Sequence, residues 1–169
     1  MKRKEHSAFT LVELIMVIVL TGILFAVTAP LMLEIAKSWQ LARSRNDLCE
    51  SAKVAMDRMI REIRGINDNT SVITANGSTF KFIDVNSNTI TFNLSGGHLI
   101  RAQGVSANQL ADNVTALSFT YYNSSEAVIA TPVVNPSSTD ITRIVIDITS
   151  SVGGTSLSFE SGVSPRSLQ

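Results

Sequence analysis

The chain has 169 residues, of which 44% are hydrophobic, 17% charged and 6% aromatic, and its 14 basic side chains balance 14 acidic ones. The low charge content argues against a disordered chain, and the neutral balance leaves no basic face for non-specific nucleic-acid binding. One cysteine, Cys49, and two histidines, His6 and His98, exclude an internal disulfide and any four-cysteine zinc site, and the length allows about one domain.

The N-terminal eight residues, MKRKEHSA, set Lys2, Arg3 and Lys4 against Glu5. Residues 14–33 (LIMVIVLTGILFAVTAPLML) then run without a charge. At about 1.5 Å per residue such a run spans roughly 30 Å, the hydrocarbon thickness of a bilayer. The basic flank predicts a cytoplasmic N-terminus. A secretory signal has a shorter apolar region, with its small-residue cleavage site after that region. Here the run passes into Glu34 and an amphipathic stretch, and the small pair Ser7-Ala8 precedes it. Processing at that pair leaves the anchor on the mature chain.

Glu13 is out of place in residues 9–15 (FTLVELI). A carboxylate in the hydrocarbon costs on the order of 2–3 kcal/mol unless it is paired, so an acid here is a functional candidate. The plainer reading is a glutamate at headgroup level that caps the segment. No Lys or Arg lies between Lys4 and Lys37; a free α-amino group at Phe9, made by cleavage after Ala8, would supply a cation in the right layer. Gly22 and Pro30 each weaken the helix, Pro30 by removing the hydrogen bond to the Ala26 carbonyl.

Beyond the apolar run, Leu41, Leu48, Ala52, Ala55, Met56, Met59, Ile60 and Ile63 recur at three- and four-residue steps, which predicts an amphipathic helix over 34–65 with Gly65 as its C′ residue. Its methionines read as core filler and Cys49 as a buried thiol, while Asp57, Arg58, Arg61, Glu62 and Arg64 read as a solvated mixed face. From residue 66 the composition turns to Thr, Ser, Asn and Val. Strands are predicted at 79–85 (TFKFIDV), 89–94 (TITFNL), 98–101 (HLIR), 114–122 (VTALSFTYY), 141–149 (ITRIVIDIT) and 155–160 (TSLSFE), with hairpins at Gly96-Gly97 and Gly153-Gly154. Residues 131–138 read as a loop. Asp84, His98, Asp112, Asp140 and Asp147 are single polar residues in no catalytic or metal-binding spacing, and the expectation is no metal, no cofactor and no enzymatic activity.

Residues 8–15 (AFTLVELI), after a short basic leader and before an apolar helix, resemble the class III signal of type IV pilins and pseudopilins. The resemblance implies cleavage between Ala8 and Phe9 by a prepilin peptidase, N-methylation of Phe9, and Glu13 as the assembly glutamate that meets the N-terminal amine of a neighbouring subunit. Ala8 stands where the family usually has glycine. In the family the region matching Gly22 and Pro30 carries a helix-bending proline and can melt in filaments; ordinary kinks in a membrane helix fit these two residues equally. Residues 110–114 (LADNV) and 117–122 (LSFTYY) look like minor pilins and the J-type pseudopilin of type II secretion. Many major pilins close their C-terminal region with a disulfide, which a single cysteine cannot do.

The expected fold is α+β: a cleaved leader at 1–8, a transmembrane and assembly helix at 9–33, an amphipathic periplasmic helix at 34–65 and a β-rich region at 66–169 whose antiparallel sheet packs on the helix. The expected function is a structural subunit, a minor pilin or pseudopilin, of a type IV pilus or a type II secretion pseudopilus. Its partners would be prepilin peptidase, other pilin subunits and inner-membrane lipid, with no nucleic acid. It would be single-pass in the inner membrane with a periplasmic C-terminal region before assembly, and in the filament afterwards. The alternative is an anchored periplasmic or surface binding module that does not polymerise. Cleavage after Ala8 removes three basic and one acidic residue, leaving 11 basic and 13 acidic. Intact mass of the chain coexpressed with a prepilin peptidase should show the loss of MKRKEHSA plus one methyl group; a mature chain starting beyond Ala29 would establish an ordinary secretory signal instead.

Overall fold

The computed structural model of the protein describes residues 10–66, 69–133 and 141–165. Among them one long helix, α1 (Leu11–Arg64), precedes a 3-10 turn (Asn69–Ser71) and the strands β1 (Val72–Ala75), β2 (Thr79–Ile83), β3 (Thr89–Ser95), β4 (His98–Gln103), β5 (Ser106–Ala111), β6 (Val114–Tyr122), β7 (Val128–Ile129), β8 (Arg143–Val152) and β9 (Thr155–Val163). The chain divides into two compact units, Met1–Arg43 and Ser44–Gln169. The first holds the apolar part of α1, and the second holds the rest of α1 and all the strands.

The helix-then-strand order is as expected, but the β region forms two antiparallel sheets instead of one. The first has the order β1-β2-β3-β4-β5 and the second β7-β6-β8-β9. Strands β1, β5 and β7 escape a periodicity reading for a common reason. They are short or edge elements, and β5 (SANQLA) buries only its last residue, so no apolar alternation marks it. The two glycine pairs are turns as predicted. Gly96 and Gly97, and Gly153 and Gly154, all take positive φ, as a two-residue type I′ hairpin loop requires.

The core of the second unit lies where α1 and both sheets meet. Ala55, Met56, Met59 and Ile63 of α1 share one buried cluster with Phe80, Phe82, Ile90, Phe92 and Leu99 of the first sheet and Phe119, Tyr121, Ile144, Ile146 and Ile148 of the second. Phe80 sits at the junction, with ring centroids 5.3 Å from Phe82, 5.8 Å from Phe119 and 5.7 Å from Tyr121. These tilted separations fall in the range where aromatic pairs add to simple area burial. The Tyr121 hydroxyl donates to the Asn76 carbonyl at 2.9 Å, and burial pushes its phenol above the ordinary value of 10.0. Of the predicted apolar stripe, Leu48, Ala52, Ala55, Met56, Met59 and Ile63 are buried; Leu41, in the first unit, is exposed, and Cys49 is half-buried.

The helix ends at Gly65, as predicted, but Gly65 has no positive φ. Instead the Gly65 and Ile66 amides donate to the Glu62 and Ile63 carbonyls at 3.0 and 3.2 Å, so the last turn tightens to three-residue bonds. An added Cβ at Gly65 would lie 3.3 Å from the Glu62 carbonyl oxygen.

The mixed face near the helix end is a second correction. Glu62 is half-buried, and Arg101 on β4, only 8% exposed, donates its Nε to both carboxylate oxygens at 2.7 Å. Arg58 adds an Nε contact at 3.0 Å, and Arg101 Nη2 reaches Gln103 Oε1 at 3.1 Å. Sequence spacing groups Glu62 with its helical neighbours; the partner that matters comes from a strand 39 residues later. Glu62→Ala leaves the Arg101 guanidinium buried and unpaired, and should destabilise the second unit by about 3–5 kcal/mol in urea unfolding. The double change Glu62→Leu with Arg101→Met should lose far less, because neither charge then remains buried.

Candidate functional site

The site indicated by the sequence is the start of α1. Ala8 and Phe9, the expected cleavage and methylation residues, lie outside the described residues. Thr10 and Glu13 do not. The Thr10 hydroxyl accepts a hydrogen bond from the Glu13 amide at 3.3 Å, and the Leu14 amide donates to the Thr10 carbonyl at 3.2 Å. Thr10 is therefore the N-cap and Glu13 the third helical residue, and Thr10-Leu11-Val12-Glu13 has the Thr-x-x-Glu pattern of a capping box. Thr10 is a functional residue that the apolar and charge patterns do not mark; its signal in the sequence is the Thr-x-x-Glu spacing.

Glu13 is exposed, and among the described residues no cation pairs with its carboxylate. Its place in the first turn is favourable by itself, since a negative charge complements the positive end of the helix dipole. The following turns are built for an apolar surrounding. Side chains from Leu11 to Leu33 are exposed, and the two hydroxyls of the run are satisfied within the helix: Thr21 donates to the Val17 carbonyl at 2.5 Å and Thr28 to the Leu24 carbonyl at 2.9 Å. Backbone and side-chain polar groups met inside the segment are what a spanning helix needs. α1 is long and apolar enough to cross a membrane. It runs unbroken through Gly22 and Pro30. The missing Pro30 amide removes one bond from the ladder, and the bonds on either side keep the helix going. A Cβ at Gly22 would meet no atom of the described residues within 4 Å, so none of their contacts demands glycine there.

The β region brings together residues that the sequence leaves apart. His98, at the start of β4, sets Nδ1 2.7 Å from Asp112 Oδ1, and Gln109 Nε2 donates to the same oxygen. The pairing follows from the β4–β5 register, Leu99 opposite Ala111, which the sequence hides because β5 has no apolar alternation. Asp147 accepts from the Ser118 hydroxyl at 3.5 Å. Asp140 lies outside the described residues. Among the described residues no three His, Cys, Asp or Glu side chains gather as metal ligands would.

Asp84 is the staple of the β2–β3 turn. Its Oδ1 accepts from the Asn86 and Asn88 amides at 2.9 and 2.8 Å, and its Oδ2 from Asn88 Nδ2 at 3.2 Å. The turn lies beside the end of α1, where the Val85 amide donates to the Gly65 carbonyl at 3.2 Å. Burial opposes the charge on Asp84, but the hydrogen bonds from Asn88 and Asn86 outweigh it and hold the carboxyl below its ordinary value of 3.8.

A family model described as the prokaryotic N-terminal methylation motif matches residues 3–29. The matched segment contains Ala8, Phe9 and Glu13 and most of the apolar run. The match supports a type IV pilin-like family, a precursor processed by prepilin peptidase, and anchoring in a membrane through the apolar part of α1. No curated protein matches the chain.

The Asp84 turn yields a pH prediction. A carboxylate with a depressed folded pKa contributes stability above its unfolded pKa and loses it as pH falls through the folded one. Asp84→Ala should therefore destabilise the second unit at neutral pH. In urea titrations the difference from wild type should shrink as pH drops below 3.8; a difference independent of pH would mean that the turn does not depend on the charge.

Proposed function

We propose that the protein is a structural subunit, a minor pilin or pseudopilin, built into a type IV pilus or a type II secretion pseudopilus through α1 after cleavage at Ala8 and methylation of Phe9. The observation that carries this reading is Glu13: the only acidic residue between Glu5 and Glu34 lies inside the matched motif, exposed and without a described cation. A neighbouring subunit's Phe9 amine is the cation it would meet. The absence of a possible disulfide and the likeness of residues 110–122 to minor pilins and the J-type pseudopilin favour a minor subunit or pseudopilin over a major one. The β-rich unit would serve in contacts with other subunits.

The capping-box spacing of Thr10 and Glu13 would give the Glu13 side chain a second, purely local role, and the two roles separate experimentally. Glu13→Gln keeps a side chain competent in a capping box but removes the charge; Glu13→Val removes both. An unpaired partner charge in a low-dielectric layer costs on the order of 3–5 kcal/mol, a factor of about a hundred or more in a docking equilibrium. Both variants should insert and be cleaved, and both should fall sharply in subunit recovered from sheared or crosslinked filaments, normalised to processed subunit in the membrane. If Glu13→Gln incorporates like wild type, the ion-pair role is lost, and a filament-initiating subunit or a plain anchored module takes its place.

A further inference from the structure

The far end of the apolar run holds an aromatic that neither the motif nor the β region uses. Trp39 is the only tryptophan of the chain and is 76% exposed on α1. Phe25, Thr28, Met32, Ile35 and Trp39 follow at three- and four-residue steps and so share one face of the helix. Glu34 and Lys37 fall on the opposite face. Trp39 thus closes an apolar stripe at the level where charges first return.

Three physical facts fix what such a residue fits. An indole has a large apolar body and a single N–H donor, and it concentrates at membrane–water interfaces, where one end is apolar and the other wet. Six residues, about 9 Å of rise, separate the Trp39 backbone from Leu33, the last residue of the charge-free run. Side chains on a helix lean toward its N-terminus, which brings the ring back over the preceding turn, into the layer bordering the hydrocarbon. The distance to the other end agrees. Trp39 and Glu13 are 26 residues apart, about 39 Å of helix, close to the roughly 40–45 Å of a bilayer with its headgroups.

We propose that Trp39 seats in the phospholipid headgroup layer on the side of the bilayer opposite Glu13, its ring over the acyl-chain boundary and its N–H toward lipid oxygens. In this position Glu13 reaches the other headgroup layer and does not lie in the hydrocarbon. The proposal rests on the membrane-anchoring reading of α1, and the test separates the two.

The processed full-length chain is reconstituted into vesicles of phosphatidylethanolamine and phosphatidylglycerol doped with dibrominated phosphatidylcholine. Every photon of tryptophan emission then comes from position 39, and Trp39→Phe should abolish the signal. Bromines near the glycerol end of the acyl chain should quench severalfold more than bromines near the chain terminus, and aqueous iodide should quench less than it quenches free indole. Strongest quenching by the chain-terminal bromines would put the ring in the hydrocarbon and overturn the proposal. Full iodide quenching without lipid quenching, in vesicles that retain the chain through an alkaline wash, would overturn it and leave membrane anchoring intact. Release of the chain by that wash would remove the anchoring reading itself and the proposal with it.

Discussion

A single helix in this protein has to satisfy two different surroundings. From Leu14 to Leu33 its side chains carry no charge, are apolar except at Gly22 and the two threonines, and are exposed. From Leu48 onward it is apolar on one stripe, and that stripe is buried. A helix apolar on every side calls for a membrane or for other helices, whereas a one-sided helix calls for a sheet. The change of pattern occurs within one element, without a turn or a break. The rest of the architecture follows from it. The second unit must bring an apolar sheet face to the stripe, and it does so with two sheets that share the Phe80 junction. The first unit must carry its polar groups internally, as Thr21 and Thr28 do.

Much of this was legible in the sequence because it depends on period and length. The charge-free run, the amphipathic stripe and the long apolar strands β2, β3, β6 and β8 declare themselves through patterns that packing merely fills in. What was hidden depends on register. The partition into two sheets turns on β1, β5 and β7, which are edge or two-residue elements without alternation. The Arg101–Glu62 pair and the His98–Asp112 pair each join residues whose neighbourhood exists only after strands pair. The helix end shows a subtler limit. Glycine marked the right position, but the left-handed cap that glycine usually signals is replaced by tightened three-residue bonds and a close carbonyl contact.

The candidate site divides in the same way. The motif, its carboxylate and the apolar run are written in consecutive residues and need no fold to be read. Thr10 as N-cap is equally local, but its partner is the Glu13 amide, which the charge pattern of the segment does not reveal. Asp84 shows the reverse case, since its short Asp-x-Asn-x-Asn spacing is visible but its meaning is not. Only the hydrogen bonds from Asn86 and Asn88 show that the carboxylate is occupied by its own turn.

Magnitudes decide how Glu13 can be tolerated before any partner arrives. A favourable helix dipole is worth about 0.3–1 kcal/mol to the carboxylate, while a charged side chain at the centre of a bilayer costs about 2.5–3.5 kcal/mol or more. Local terms alone would not hold the carboxylate in the hydrocarbon. They need not, if the headgroup layer is where the first turn of α1 lies, since there water and lipid headgroups still solvate the charge. On the proposed function, the demand for a cation would then arise only when neighbouring apolar helices close around that turn and remove the solvent. In the proposed subunit role, a glutamate at the first turn would therefore be stable alone and costly when enclosed unpaired, and that difference would make enclosure selective for a neighbour that brings a positive charge to the same level.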